Sequence, residues 1–331
     1  MKILYAIQGT GNGHISRARQ FIPILSKYGE LDLLVSGTSA EVNLDHSVRY
    51  FKPGISYTFG KNGGIDILET LNNLNPSAFI DDVMHLDPTS YDLVLNDFEP
   101  VSAWACKRSG IPCIGLSHQA SFLSHKTPRP SNANPAAEWI FRYYAPCSSP
   151  IGFHYKPYDD FIYTPIIRNE IRAIEHNPQN IITVYLPAYD HTLLSKHLIG
   201  FKDYTWHVFS KHIKETTTFE NIVVSPIANE TYIRSLSQSS GLIAGAGFEA
   251  PAEALFMGLK LMVIPMNGQY EQQCNAEALK QMGVSVNHTI DQQFHVRINE
   301  WLNTSEPIRI DYPDQSDEII KTIIEKQLQL I

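Results

Sequence analysis

Short, largely apolar runs alternate with amphipathic stretches, in two successive series along the chain. A strand with no polar face must be covered on both sides, which is the condition of a parallel sheet flanked by helices. In the first series the strands are Lys2–Ile7, Leu31–Val35, Leu93–Leu95 and Cys113–Leu116, with helices over His14–Tyr28 and Val101–Ser109. Residues 117–160 break the pattern, being rich in Pro and aromatics, with one helix near Pro135–Tyr144. A crossing segment around Thr164–Arg168 leads into the second series. Its strands are Ile181–Leu186, Thr205–Phe209, Ile222–Val224, Gly241–Ala244 and Leu261–Pro265. Helices fit between them at Thr192–Ile199, Glu230–Ser237, Pro251–Met257 and Tyr270–Met282. At 331 residues the chain also exceeds what one core usually serves. The expected fold is α/β, with two doubly wound Rossmann-like domains, residues 1–165 and 166–315, facing a central cleft. The last stretch, 316–331, carries Ile319, Ile320, Ile323, Ile324 and Leu328 on one side of a helix. That stripe needs a surface to cover it, and the first domain can supply one.

Composition removes several functions. The net charge of -8 has no basic cluster within it, which argues against nucleic-acid binding. The four cysteines, Cys106, Cys113, Cys147 and Cys274, lie far apart with no histidine at ligand spacing, so no metal site is expected. The first apolar run is too short for a signal-peptide core, and no run approaches the about 18 residues of a membrane span. A cytoplasmic enzyme is the expectation.

In doubly wound sheets ligands sit beyond the carboxyl ends of the strands. Gly9-Thr10-Gly11-Asn12-Gly13-His14 follows the first strand and opens the first helix. Its glycines permit a tight turn and close approach of a ligand, and the helix terminus favours negative charge. A dinucleotide fingerprint would need its third glycine one residue later and an acid after Val35, where the chain reads Ser36-Gly37. His14 is either a polar cap or a general base, since imidazole titrates near neutrality. A base needs an acidic partner, and Asp97 and Glu99, both following the strand at Leu93–Leu95, qualify equally by chemistry. In the second half, the strand Gly241–Ala244 runs into Gly245, Ala246, Gly247, Phe248 and Glu249, then a helix begun by Pro251. The small residues would expose backbone N–H groups to a diphosphate. Glu253, one turn into the helix, could accept both hydroxyl protons of a ribose, or could merely complement the helix dipole.

The series G-x-x-x-x-x-E-x-x-x-x-G (Gly247, Glu253, Gly258), an apolar strand ending at Pro265, and then Glu271-Gln272-x-x-Asn275-Ala276 resembles the GT-B glycosyltransferases. The similarity is to the peptidoglycan N-acetylglucosaminyltransferase and to UDP-dependent glucosyl- and glucuronosyltransferases. The segment Gly9 to Arg17, G-x-G-N-G-H-x-S-R, looks like the same superfamily's N-terminal glycine loop. The resemblance implies a hexosyltransferase-type enzyme using a nucleotide-sugar donor, most simply a UDP-sugar, by an inverting reaction without metal or other cofactor. It implies Glu253 on the ribose, Gly247 on the diphosphate, and Glu271 and Gln272 on the sugar hydroxyls. His14 falls at the family's base position, and Asp97 where some members carry its partner. Ile227 is a positional choice for the nucleobase contact. One departure is the loop Pro187-Ala188-Tyr189-Asp190, which lacks the Gly-Ser phosphate loop of the peptidoglycan enzyme.

The acceptor side is assigned to Gly11, Asn12, Gly13, Glu99 and His118, the last either orienting an acceptor or serving as a satisfied structural histidine. Trp139, Phe141, Tyr143 and Tyr144 are either core or the lining of a groove for a sugar or lipid-linked acceptor. In the second case they could touch the inner face of a membrane, within cell-envelope glycan synthesis. Two other functions compete: a sugar-nucleotide epimerase or hydrolase of the same fold, for which Asp97 and Glu99 supply carboxylates, and a non-catalytic nucleotide-sugar binder.

Overall fold

The computed structural model describes residues 1–10, 12–37, 44, 46–53 and 76–328. Two seven-stranded sheets are built from these residues. The first contains β1 (Lys2–Gln8), β2 (Glu30–Ser36), β3 (Val48–Lys52), β4 (Leu93–Asp97), β5 (Ile114–Ser117), β6 (Ser149–Phe153) and β7 (Ile162–Tyr163). Its order is β3-β2-β1-β4-β5-β6-β7, parallel throughout. The second contains β8 (Gln179–Tyr185), β9 (Thr205–Ser210), β10 (Thr217–Phe219), β11 (Ile222–Pro226), β12 (Ser239–Gly245), β13 (Lys260–Ile264) and β14 (Ser285–Val286). Its order is β10-β11-β9-β8-β12-β13-β14, and only the edge strand β10 runs antiparallel. Among its parallel strands each sheet reverses order once, between β1 and β4 and between β8 and β12. These reversals open the crevices in which doubly wound folds bind ligands.

The central strands are those legible as largely apolar runs, and their side chains are buried on both faces. The irregular stretch after Ser117 holds two further strands of the first sheet, β6 and β7. β6 reads Ser-Pro-Ile-Gly-Phe, a poor strand sequence by propensity. Gly152 is nevertheless required there, because a Cβ would lie 2.7 Å from the backbone of Ser121 in the short 3-10 helix Gln119–Leu123. Local sequence is overridden by a close approach of two backbones. The helix expected near Pro135–Tyr144 spans Pro135–Tyr143, capped by the Asn134 side chain, and the first helix spans Asn12–Leu25.

The two sheets share one continuous core, in which Phe21 and Leu25 of the first helix, Phe153 and Tyr155 after β6, and Phe248 and Leu255 of the second half belong to one cluster. The helix Ser316–Leu328 lies against the helix Asn12–Leu25. Its Ile319, Ile320, Ile323 and Ile324 are buried in that same cluster. Gln327 Nε2 donates to the carbonyl of Asp92 at 2.7 Å, and Thr164 Oγ1 bonds Gln315 at 3.2 Å just before the helix. Truncating the fully buried Ile320 to Ala should cost about 2–5 kcal/mol of stability, read by denaturant unfolding. A loss below about 0.5 kcal/mol would mean that this helix is not part of the packed body.

Candidate active site

The first crevice is closed by the turn after β4. Asp97 is the last residue of that strand, and Phe98 follows in the left-handed region with φ 54°. A phenylalanine held there costs about 1–3 kcal/mol unless its surroundings enforce it. Asn96 supplies the enforcement: its Oδ1 accepts from Glu99 N at 3.0 Å, and its Nδ2 donates to Glu99 O at 2.6 Å and to Ser102 Oγ at 2.8 Å. Glu99 then caps the helix Pro100–Ser109, its two carboxylate oxygens accepting from Val101 N at 2.8 Å and Ser102 N at 2.7 Å. This corrects the expectation that Glu99 faces an acceptor or competes as the histidine's partner. Both of its oxygens are spent on orphan N–H groups at a helix start, and burial pushes its carboxyl above the ordinary range.

Asp97 is the residue that meets His14. His14 Nδ1 lies 2.7 Å from Asp97 Oδ1, and Asp97 is fully buried. Arg17, one turn along the helix from His14, clasps the same carboxylate with both oxygens engaged. Its Nε donates to Oδ2 at 2.9 Å and its Nη2 to Oδ1 at 2.8 Å. Burial alone would raise the Asp97 carboxyl, but the Arg17 guanidinium and His14 beside it hold it below the usual carboxylate range. An ionised Asp97 accepts the Nδ1 proton, which leaves Nε2 as the basic nitrogen of His14. The His14 side chain keeps 11% of its surface exposed. Gly11 and the side chain of Asn12 lie outside the described residues. At Gly13 an added Cβ would come within 3.2 Å of Glu249 Cγ, so the N-terminal glycine loop packs directly on the second half.

The second crevice follows β12. The helix there begins at Glu249, two residues before Pro251, with Phe248 as its cap. The N–H groups of Gly247 and Phe248 donate to no backbone acceptor among the described residues. A Cβ at Gly247 would meet nothing within 4 Å, and one at Gly245 would find only Gln272 Oε1 at 3.7 Å and Ile264 O at 3.9 Å. The loop is thus open space at the positive end of a helix, as an anion site requires. Asn275 Nδ2 holds its shape from behind by bonding Ala246 O at 3.1 Å. Elsewhere in this half, Asp190 caps the helix His191–Leu198 by accepting from Thr192 N at 2.8 Å. A carboxylate thus stands where the Gly-Ser phosphate loop is missing.

Several residues assigned by resemblance already have partners. Glu253 Oε1 accepts from Arg168 Nε at 2.6 Å, while Oε2 takes no bond among the described residues; burial raises its carboxyl despite Arg168. Glu271 Oε2 accepts from Gln119 Nε2 at 3.0 Å. Gln272 Oε1 accepts from Met266 N at 2.9 Å, which commits its amide to the loop after β13. Ile227 stands 38% exposed after β11. His118 is enclosed: its Nδ1 lies 2.8 Å from Phe153 O and its Nε2 3.0 Å from Asn275 Oδ1, one of the two nitrogens carrying the ring proton, and it stacks on Phe248 at 3.9 Å between ring centroids. Burial holds it below the ordinary imidazole range, as befits a structural histidine joining the two halves. Of the aromatics after Pro135, Phe141 and Tyr144 are core, whereas Trp139 stands 60% exposed beside Tyr143, their rings 5.2 Å apart.

The contact that sequence reasoning missed spans the cleft: Arg17 Nη1 donates to Glu249 Oε1 at 2.9 Å. Spacing does place Arg17 on the helix face of His14, the two being three apart, but it carries no signal of the distant Glu249. A model of the family described as glycosyl transferase family 1 matches residues 1–304. The chain belongs to that family. The enzyme is a glycosyltransferase of the two-domain GT-B fold, and solved structures agree on the architecture. SnogD from Streptomyces nogalater is 12% identical, the match covering 98% of this chain and 99% of that one with a TM-score of 0.58. UGT89C1 of Arabidopsis thaliana, complexed with UDP-L-rhamnose, is 14% identical over 99% of this chain and 94% of that one, TM-score 0.59. A UDP-glucosyltransferase from Polygonum tinctorium capable of glucosylating indoxyl is 12% identical over 99% and 93%, TM-score 0.60. Comparison with curated proteins found no match. Among the described residues of the glycosyltransferase, no helix is long and apolar enough to cross a membrane, and no group of three or more His, Cys, Asp or Glu could hold a metal ion.

Glu249 makes the cleft sensitive to pH. Burial pushes its carboxyl up to about 7 against the opposing pull of Arg17, and the Glu253 and Asp97 carboxylates push the same way. The folded glycosyltransferase therefore holds a proton here that the unfolded chain has released above about 4.3. The stability this proton contributes is present at low pH and is lost as pH rises towards about 7. The thermal midpoint should fall between pH 5 and pH 8, and less so in Glu249→Gln. Parallel pH curves for the two proteins would contradict the assignment.

Proposed function

We propose that this glycosyltransferase moves a sugar from a UDP-sugar to a hydroxyl of its acceptor, with inversion and without a metal ion. The observation that carries the reading is the pairing of His14 with ionised Asp97 at one crevice, facing the open loop Gly245–Glu249 at the other. In this reading residues 1–165 form the acceptor side and 166–315 the donor side. The diphosphate lies over Gly245, Ala246, Gly247 and Phe248, where N–H groups and the helix dipole stabilise charge developing on the leaving group. Glu253 Oε2 accepts from the ribose, and Ile227 flanks the base. Glu271 and Gln272 reach the sugar hydroxyls by exchanging their present partners, Gln119 and Met266. The bound UDP and UDP-L-rhamnose in the Arabidopsis structures support the choice of donor.

The acceptor enters beside Gly11, Asn12 and Gly13. His14 Nε2 removes the proton of its hydroxyl as that oxygen attacks the anomeric carbon. The bond from that carbon to the diphosphate oxygen breaks, and the electron pair leaves on UDP. The exposed Trp139 and Tyr143 support an acceptor presented at a membrane surface, a lipid-linked sugar being the simplest.

Binding and chemistry separate by mutation. Glu253→Ala removes charge-assisted bonds worth about 1.5–3 kcal/mol each, so UDP affinity should fall by roughly one to two orders of magnitude. His14→Ala removes a general base worth about a hundredfold to ten-thousandfold in turnover, while UDP affinity barely changes. Calorimetry with UDP and transfer assays with UDP-sugars read the two effects. If His14→Ala abolishes UDP binding and spares turnover at saturating donor, the histidine is a phosphate contact and the two halves have been assigned the wrong way round.

A further inference from the structure

The proposed base has an unusual neighbour. Arg17 Nη2 lies 3.3 Å from His14 Nδ1, a nitrogen already directed at Asp97. Both atoms carry protons, so their approach is a contact between donors and not a hydrogen bond. Adding a second proton to the imidazole would place a cation against a guanidinium that is itself buried and fixed by three carboxylate contacts. Without that guanidinium, the buried Asp97 carboxylate would do the reverse and hold a proton on the ring.

We propose that Arg17 is the positioning residue for the reaction: by clasping both oxygens of Asp97 it fixes the carboxylate that orients His14, and its charge beside Nδ1 opposes a second proton on the ring, so that Nε2 is free to accept. This rests on His14 being the base. The clasp is geometrically specific, because a planar fork meets both carboxylate oxygens where an ammonium would meet one. It also reaches across the cleft, since the remaining guanidinium nitrogen is held by Glu249, where the loop Gly245–Glu249 enters its helix. The other ionisable groups packed around the cluster are Tyr5 on β1, Glu253 with its partner Arg168, and His118. Tyr5 has a buried hydroxyl with no bond partner among the described residues, and burial, together with the nearby Asp97 carboxylate, pushes it well above the ordinary phenol range. Arg17 is therefore the fixed cation whose guanidinium closes on both His14 and Asp97.

The test follows the imidazole itself and needs no substrate, so its outcome is separable from the role of His14 in turnover. Histidine ring nitrogens of the full chain are titrated by NMR, the His14 signal being identified by its absence in His14→Gln. In Arg17→Gln the His14 midpoint should rise by about one pH unit or more, a tenfold change in the protonation equilibrium. In Arg17→Lys, which keeps the charge and loses the fork, it should stay within about 0.3 units of the wild type. Should Arg17→Gln fail to fold with Asp97 uncompensated, Asp97→Asn is compared with Asp97→Asn/Arg17→Gln, where the midpoint should again rise. An unchanged midpoint in both comparisons would overturn the proposal, as would a shift in Arg17→Lys as large as that in Arg17→Gln.

Discussion

A carboxylate with no access to water has to be neutralised where it stands, and Asp97 is that carboxylate. It ends a central strand of the first sheet, so its place is set by the sheet and cannot relax. Arg17 and His14 are drawn to it from one face of the first helix, and the glycine loop preceding that helix is thereby held against the strand end. Arg17 satisfies its remaining nitrogen on Glu249, which ties the first half to the start of the helix that opens the second crevice. One buried charge thus organises the ring proposed as the base, the loop beside it and the meeting of the two domains.

The rest of the interface has the same character. His118 stacks on Phe248 and bonds Asn275, Tyr155 donates to Gly247 O at 3.0 Å, and Tyr270 donates to Glu138 at 2.7 Å. His118 thus braces Phe248, Asn275 braces Ala246 and Tyr155 holds the Gly247 carbonyl, while no side chain lies within 4 Å of where a Gly247 Cβ would stand. A loop whose N–H groups are to hold an anion gains from being rigid before the anion arrives, because little reorganisation then remains. The cleft is built by side chains that are mostly structural, around a few polar groups that are left uncommitted.

How much of this could be read beforehand follows from which signals are local. Strands buried on both faces announce themselves as largely apolar runs, and β1, β2, β4, β8, β12 and β13 were legible for that reason. The edge strands β3, β7, β10 and β14 are short or exposed and carry no such run, and β6 is masked by Pro150 and by a glycine needed for packing. The start of the helix at Glu249 was missed because Pro251 suits a first helical turn at more than one position. Asp97 and Glu99 were indistinguishable as types; a left-handed Phe98 separates them, turning one into the crevice and the other onto a helix end. The partners of Glu253, Glu271 and Gln272 all come from distant parts of the chain or from a loop, which no spacing rule reaches.

The claim on which the account stands is that the loop Gly245–Glu249 receives the donor diphosphate through its bare backbone. Gly247 tests it cleanly, because a Cβ added there meets nothing within 4 Å and a substitution should leave the fold untouched. Calorimetric titration of UDP onto the full chain and onto Gly247→Val, each with magnesium and with chelator, is the direct measurement. If the bare backbone holds the diphosphate, the wild-type affinity is the same with and without the metal, and the variant loses at least about tenfold at an unchanged melting midpoint. Equal affinity for UDP in the two proteins would contradict it.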